Sequence, residues 1–214
     1  QLQKKGVDTV VLEANEIASG QTKNTTAKIT SQHGIIYTIL EENFGKEKTV
    51  QYAHANQQAI QQYADIIDEL QISCDFERKN AYIYSKNDPS LLKKEATAAR
   101  FSDIPAKFVT ETPLPFPVQG AVVFENQAQF NPLKFIRDVS AKVTVYENTP
   151  VTQVKKDTVF TSGHKIKAKN IVFATHFPFV NIPGYYFMRM HQERSYVLAV
   201  KKAASMEGMY YGID

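Results

Sequence analysis

Val7-Asp8-Thr9-Val10-Val11-Leu12-Glu13 is the stretch that decides the fold. Its centre is a short apolar, β-branched run closed by an acid, which suits a strand buried on both faces of a parallel α/β sheet. Just before it, Gln1-Leu2-Gln3-Lys4-Lys5-Gly6 reads as the last turn of a helix. Lys4 and Lys5 suit the negative end of that helix, and Gly6 suits the left-handed position just past it. One or two helical turns are a poor start for a domain, because helix nucleation is unfavourable. The sequence is therefore expected to enter partway through a helix-to-strand unit, with the rest lying before Gln1.

Working outward, residues 14–37 are polar and small with little periodicity, and a loop of that length in a compact domain is usually functional or disordered. Residues 45–70 place Val50, Ala53, Gln57, Ile60, Tyr63, Ile67 and Leu70 near i, i+3/4 spacing, the pattern of an amphipathic core helix. Ala81-Tyr82-Ile83-Tyr84 is a strand, and Pro89 opens a helix that runs to about Arg100. Pro105, Pro113, Pro115 and Pro117 punctuate short β-type runs that end in Ala121-Val122-Val123-Phe124. Asn131-Pro132 caps a helix from Leu133 to about Ala141. Strands follow at 143–146, 151–155, 158–161 and 165–167, with Ser162-Gly163 as a hairpin turn. Asn170-Ile171-Val172-Phe173-Ala174-Thr175 reads as a second strongly apolar strand, and Ser195-Tyr196-Val197-Leu198-Ala199-Val200 as the start of another sheet.

Composition removes several function classes. The 214 residues allow one large domain or two interleaved smaller ones, with enough chain for a core that needs no staples. A net charge of +3 is too balanced for a nucleic-acid footprint. Cys74 is the single cysteine, so neither an internal disulfide nor a cysteine-rich zinc site is expected. His33, His54, His164, His176 and His191 lack ligand spacing, so no metal is expected. No apolar run approaches the ~20 residues that span a bilayer. No secretory signal opens the sequence, so the cytoplasm is the expected compartment and the Asn24-Thr25-Thr26 sequon is a chance match.

Glu13 is the first candidate for chemistry. In a dinucleotide-binding βαβ unit, an acid ending the second strand binds the adenosine ribose about 20 residues after a glycine loop. That count places any such loop before Gln1. Taken alone, Glu13 serves equally well as a solvated strand end, Ser19-Gly20 as an ordinary turn, Val151 as sheet core and Thr175 as a strand cap.

Taken together, these segments resemble a known family. Val10-Val11-Leu12-Glu13, then Ile17-Ala18-Ser19-Gly20-Gln21-Thr22, then Asn24-Thr25-Thr26-Ala27-Lys28 resembles the FAD-dependent oxidoreductases of the D-amino-acid oxidase/glycine oxidase superfamily. The Asn131-Pro132 helix start, Val151, and the hairpin and apolar run over 166–175 follow in that family's order. The wording of residues 25–34 is closest to the branch that often carries a C-terminal Rieske domain, although one cysteine supplies no pair of Cys-x-His motifs. The resemblance implies that Glu13 binds the ribose and that Ser19, Gly20 and Thr22 lie along the pyrophosphate. It also implies that Asn24, Thr25, Thr26 and Lys28 run toward the isoalloxazine ring. Val151 would contact adenine, and Ala174 and Thr175 would pack beside the adenosine half. His33 stands close by in the same loop.

The expected fold is α/β: an incomplete Rossmann-like FAD-binding part over 1–70 and 130–183, interleaved with a mixed or antiparallel-sheet substrate part over 71–129 and 184–214. The expected function is oxidation of an amino-acid or amine C–N bond by hydride transfer to flavin, with a small-molecule amine or amino acid as partner. Arg189, Arg194 or Tyr196 could hold a substrate carboxylate, although pairing with an acid explains either arginine equally well. The alternatives are a non-catalytic interaction module that has lost its cofactor loops, or a nicotinamide-dependent reductase, which Glu13 would also suit. Nine glycines, roughly 4% against a usual ~7%, fit a glycine-poor middle whose two glycine-rich flavin segments lie before Gln1 and after Asp214. The chain is thus expected to be a flavoprotein fragment that binds FAD weakly or not at all, from a parent that binds it.

Overall fold

The computed structural model describes residues 1–180 and 184–214. In chain order its first elements are β1 (Val10–Leu12), β2 (Lys28–Ile29), α1 (Ile36–Glu69), β3 (Glu77–Ser85), α2 (Ser90–Phe101), β4 (Ala106–Val109) and β5 (Gly120–Gln129). They are followed by α3 (Pro132–Ser140), β6 (Thr144–Tyr146), β7 (Val151–Lys155), β8 (Thr158–Thr161), β9 (Lys165–Lys167) and β10 (Gly208–Gly212). The chain divides into two compact units, Gln1–Asn24 with Ile136–Ala199, and Thr25–Phe135 with Val200–Asp214. The fold is α/β with mixed sheets.

In the first unit, Gln3–Lys5 forms a single 3-10 turn closed by Gly6 at φ 72°, whose N–H bonds Gln3 O. β1 then pairs in parallel with β6, Val10 opposite Thr144 and Leu12 opposite Tyr146. The expectation that β1 is buried on both faces is not met: Val10 and Val11 remain 43% and 44% exposed. Among the described residues β1 has one neighbouring strand, so the apolar run secures pairing without enclosure. β7, β8 and β9 form the expected antiparallel meander. Two expected strands are absent. Residues 170–175 and 195–200 carry no strand, and Val172, Tyr196 and Leu198 are 79%, 93% and 86% exposed. Both runs have β-branched and aromatic residues, but a strand also needs a ladder partner, and none pairs with them among the described residues. The expected part boundary at residue 183 lies outside the described residues.

The second unit is built on a five-stranded sheet ordered β10-β3-β5-β2, with β4 also on β5. β10 runs parallel to β3 and the other pairs are antiparallel. Side chains alternate along β3, so Ala81 and Ile83 join Val122 and Phe124 of β5 in the core with Tyr37, Ala53, Leu92 and Ala99 of the helices. α1 contacts α2 and belongs to this unit, whereas the expected division joined residues 45–70 to the N-terminal strand. α1 also starts earlier than its apolar spacing suggests, at Ile36, and breaks at Gly45, where φ 77° and ψ 171° suit glycine alone. The expected Asn131 cap is present, its Oδ1 accepting the N–H groups of Leu133 and Lys134 at 3.1 and 3.2 Å.

The start of α1 shows why spacing missed it. Its capping residue, Ile35, offers no side-chain acceptor. The acceptor is Glu95 of α2, whose fully buried carboxylate takes the Tyr37 N–H at 2.9 Å, the Thr38 N–H at 2.8 Å and the Thr38 hydroxyl at 2.7 Å. Free first-turn N–H groups and the positive end of the helix supply what a cation would otherwise supply. Glu95→Ala leaves buried donors unpaired and is expected to lower unfolding free energy by about 1–3 kcal/mol. A urea denaturation midpoint that does not move would contradict this.

Candidate functional site

The carboxyl ends of β1 and β6 lie side by side, and hydrogen bonding continues past both strands. Glu13 N–H bonds Tyr146 O, Asn148 N–H bonds Asn15 O and Thr149 N–H bonds Glu13 O, all at 2.9 Å. Glu13 Oε1 accepts the Asn15 N–H at 2.9 Å, folding the chain into a turn. The second carboxylate oxygen of this half-buried residue accepts nothing among the described residues. Glu147, one residue past β6, accepts the Ile17 N–H at 2.5 Å. Sequence reasoning passed over Glu147, and the signal for it was faint: both parallel strands end in an acid at the same register.

The turn then leads through the remaining residues of the first unit. Ser19 is half-buried and its N–H bonds Glu16 O at 3.1 Å. Gly20 is exposed, with open space where a Cβ would sit. Thr22 and Asn24 are exposed in a 3-10 turn over Gln21–Asn24, and Asn24 Nδ2 donates to Gly20 O at 3.3 Å. Val151 opens β7 opposite Thr161, two residues after the Thr149 contact with Glu13. Ala174 and Thr175 are exposed in irregular chain. Glu13 is part of the hydrogen-bonded strand ends, Ser19 and Gly20 follow it along the chain, Val151 lies two residues past Thr149, and Ala174 and Thr175 stand outside that hydrogen-bonded group.

In the second unit, Thr25 and Thr26 are exposed and Lys28 pairs with Gln129 from β2. The Lys28 residue is exposed overall, yet desolvation around its ammonium lowers its pKa from the usual lysine value. Past β2 the chain is held from below. Gln127 Oε1 accepts the buried Ser31 N–H at 2.7 Å and its hydroxyl at 3.2 Å, while Gln57 Nε2 donates to Ser31 Oγ at 3.0 Å. The Tyr37 hydroxyl donates to Ser31 O at 2.8 Å, and burial pushes that phenol far above its ordinary value. His33 Nδ1 lies 2.5 Å from the Tyr52 hydroxyl, with the two rings edge to face. Among the described residues no group of three or more His, Cys, Asp or Glu side chains could hold a metal ion, and no helix is long and apolar enough to cross a membrane.

The protein-family model described as FAD dependent oxidoreductase, DAO, matches residues 1–211. The chain belongs to this family. Over 226 aligned positions it is 37% identical to a protein of Bacillus subtilis (strain 168), YhfW, named for a Rieske 2Fe-2S iron-sulfur protein, covering 100% of this chain and 44% of that one. The L-proline dehydrogenase of P. horikoshii shares the fold at TM-score 0.60 and 18% identity, over 78% of this chain and 46% of that one. The glycine oxidase of Geobacillus kaustophilus does so at TM-score 0.58 and 16% identity, over 81% and 50%. The chain spans less than half of its curated relative and at most half of these two structures.

Burial around the His33 ring disfavours its imidazolium and lowers its pKa, with a hydrogen bond to the Thr30 backbone opposing the shift. The neutral ring therefore contributes stability above the usual histidine value of 6.5, and the contribution is lost as pH falls through the lowered folded value. An NMR titration is expected to place the His33 midpoint below 6.5. A midpoint at or above 6.5 would contradict the packing described around Tyr52.

Proposed function

We propose that the protein oxidises a C–N bond of an amino acid or amine by hydride transfer to FAD, and that this chain supplies the adenosine side of the flavin site. The observation that carries the reading is Glu13. Its carboxylate stands at the carboxyl end of a parallel strand, one oxygen held by the Asn15 N–H and the other without a donor among the described residues. Ribose hydroxyls supply donors of the kind that second oxygen lacks. The residues beyond it fit the pyrophosphate in size and access: Ser19, Gly20 and Thr22 are small, and Gly20 leaves its approach open.

On this reading Asn24, Thr25, Thr26 and Lys28 lead toward the isoalloxazine ring, Val151 contacts adenine through its backbone, and Ala174 and Thr175 flank the adenosine half. Residues 1–70 and 130–183 serve the flavin, and residues 71–129 and 184–214 serve the substrate, with α1 packing against the substrate sheet. FAD, when bound, accepts the hydride, and the protein's part is to bind, orient and exclude water. Family membership and the fold shared with a glycine oxidase and an L-proline dehydrogenase support the reaction class. Similarity to YhfW supports placing the chain in the Rieske-linked branch.

The intact gene product is expected to purify with a flavin absorbance spectrum that bleaches when its amino acid or amine is added without oxygen. Glu13→Ala removes a hydrogen bond to a charged acceptor, and FAD binding is expected to weaken about tenfold or more. A colourless protein that FAD does not reconstitute would overturn the proposal.

A further inference from the structure

The geometry points to Glu147 as a positioning residue that pre-forms the ribose-binding turn without itself touching the nucleotide. The inference rests on the flavin reading of Glu13. β1 and β6 are short, and the chain beyond them has little to hold its shape: residues 14–16 are exposed, and residues 17–19 are only half-buried. Backbone bonds from Asn148 and Thr149 fasten the turn as far as Asn15. Beyond Asn15 the long-range tie among the described residues is the Glu147 carboxylate on the Ile17 N–H, made across 130 positions of sequence. The Thr149 hydroxyl donates to Glu147 O at 2.9 Å and steadies the backbone from which that carboxylate reaches.

The two neighbouring acids therefore divide the work. Each engages one backbone N–H of the same turn through its Oε1, Glu13 locally and Glu147 from the adjacent strand. Fixing Ile17 fixes the exit toward Ser19 and Gly20, so the ribose acceptor and the residues proposed along the pyrophosphate keep one spacing before any nucleotide arrives. Pre-ordering of this kind strengthens binding by removing the cost of ordering the turn on contact.

The test is FAD affinity of the intact gene product, wild type against Glu147→Gln and Glu147→Ala, followed by quenching of flavin fluorescence. Glutamine keeps an oxygen that accepts the Ile17 N–H, so Glu147→Gln is expected to bind within about threefold of wild type. Alanine removes the acceptor, and binding is expected to weaken about tenfold with faster amide exchange at Ile17. Unchanged affinity in Glu147→Ala overturns the inference. Equal loss in both variants also overturns it, because it would make Glu147 a direct charged contact. Tighter binding in both would show that only its charge near the phosphates matters, and overturns it as well. If Glu147→Ala does not fold, the wild-type Ile17 amide decides: protection without nucleotide is expected, and exchange at the rate of an open loop overturns the inference. A wild-type protein that binds no FAD overturns the flavin reading itself, and is recognised before any variant is compared.

Discussion

The buried carboxylate of Glu95 is the contact on which the second unit depends. Among the described residues it forms no ion pair; three donors from the first turn of α1 surround it instead. This ties α2 to the start of α1 and sets Tyr37, which is fully buried and stacked near Phe124, into the centre of the core. The Tyr37 hydroxyl in turn reaches Ser31 O, and Gln127 and Gln57 complete the hold on Ser31. Loosening Glu95 would therefore release a helix start, a core aromatic and the loop over residues 30–34 together. Such a network rewards full satisfaction and penalises any missing partner, because an unpaired buried group keeps its desolvation cost.

The first unit is organised by a different constraint, the continuation of a two-stranded parallel pair beyond its formal ends. Parallel strands direct their carboxyl ends to the same side, which is where α/β sheets place their ligands. Here that side gathers Glu13, the turn after it and the Asn148–Thr149 contacts into one hydrogen-bonded patch. Exposure of Val10 and Val11 does not weaken this arrangement, since register and not enclosure aligns the two strand ends.

Much of the local structure was legible in the sequence because its causes are local. Gly6 closes its turn by adopting the left-handed conformation, Asn131 caps α3 with its own side chain, and Ser162-Gly163 turns the β8–β9 hairpin. What escaped has distant causes. The start of α1 depends on an acid 58 residues away, and the turn after Glu13 on one 130 residues away. Residues 170–175 and 195–200 illustrate the reverse: strong β propensity with no strand partner among the described residues accompanies exposed, irregular chain. The candidate residues divide in the same way. Glu13 was readable from its place at a strand end, whereas Glu147 became visible only once the parallel register set it beside Glu13.

The central claim is that the strand-end patch around Glu13 is a nucleotide site. It is tested most directly by amide chemical-shift mapping of the intact gene product titrated with ADP, which carries the ribose and pyrophosphate without the flavin ring. The account predicts saturable shifts concentrated on Glu13, Asn15, Ile17, Ser19, Gly20 and Thr149. Shifts confined to the sheet of the second unit, or none at any ADP concentration, would contradict it.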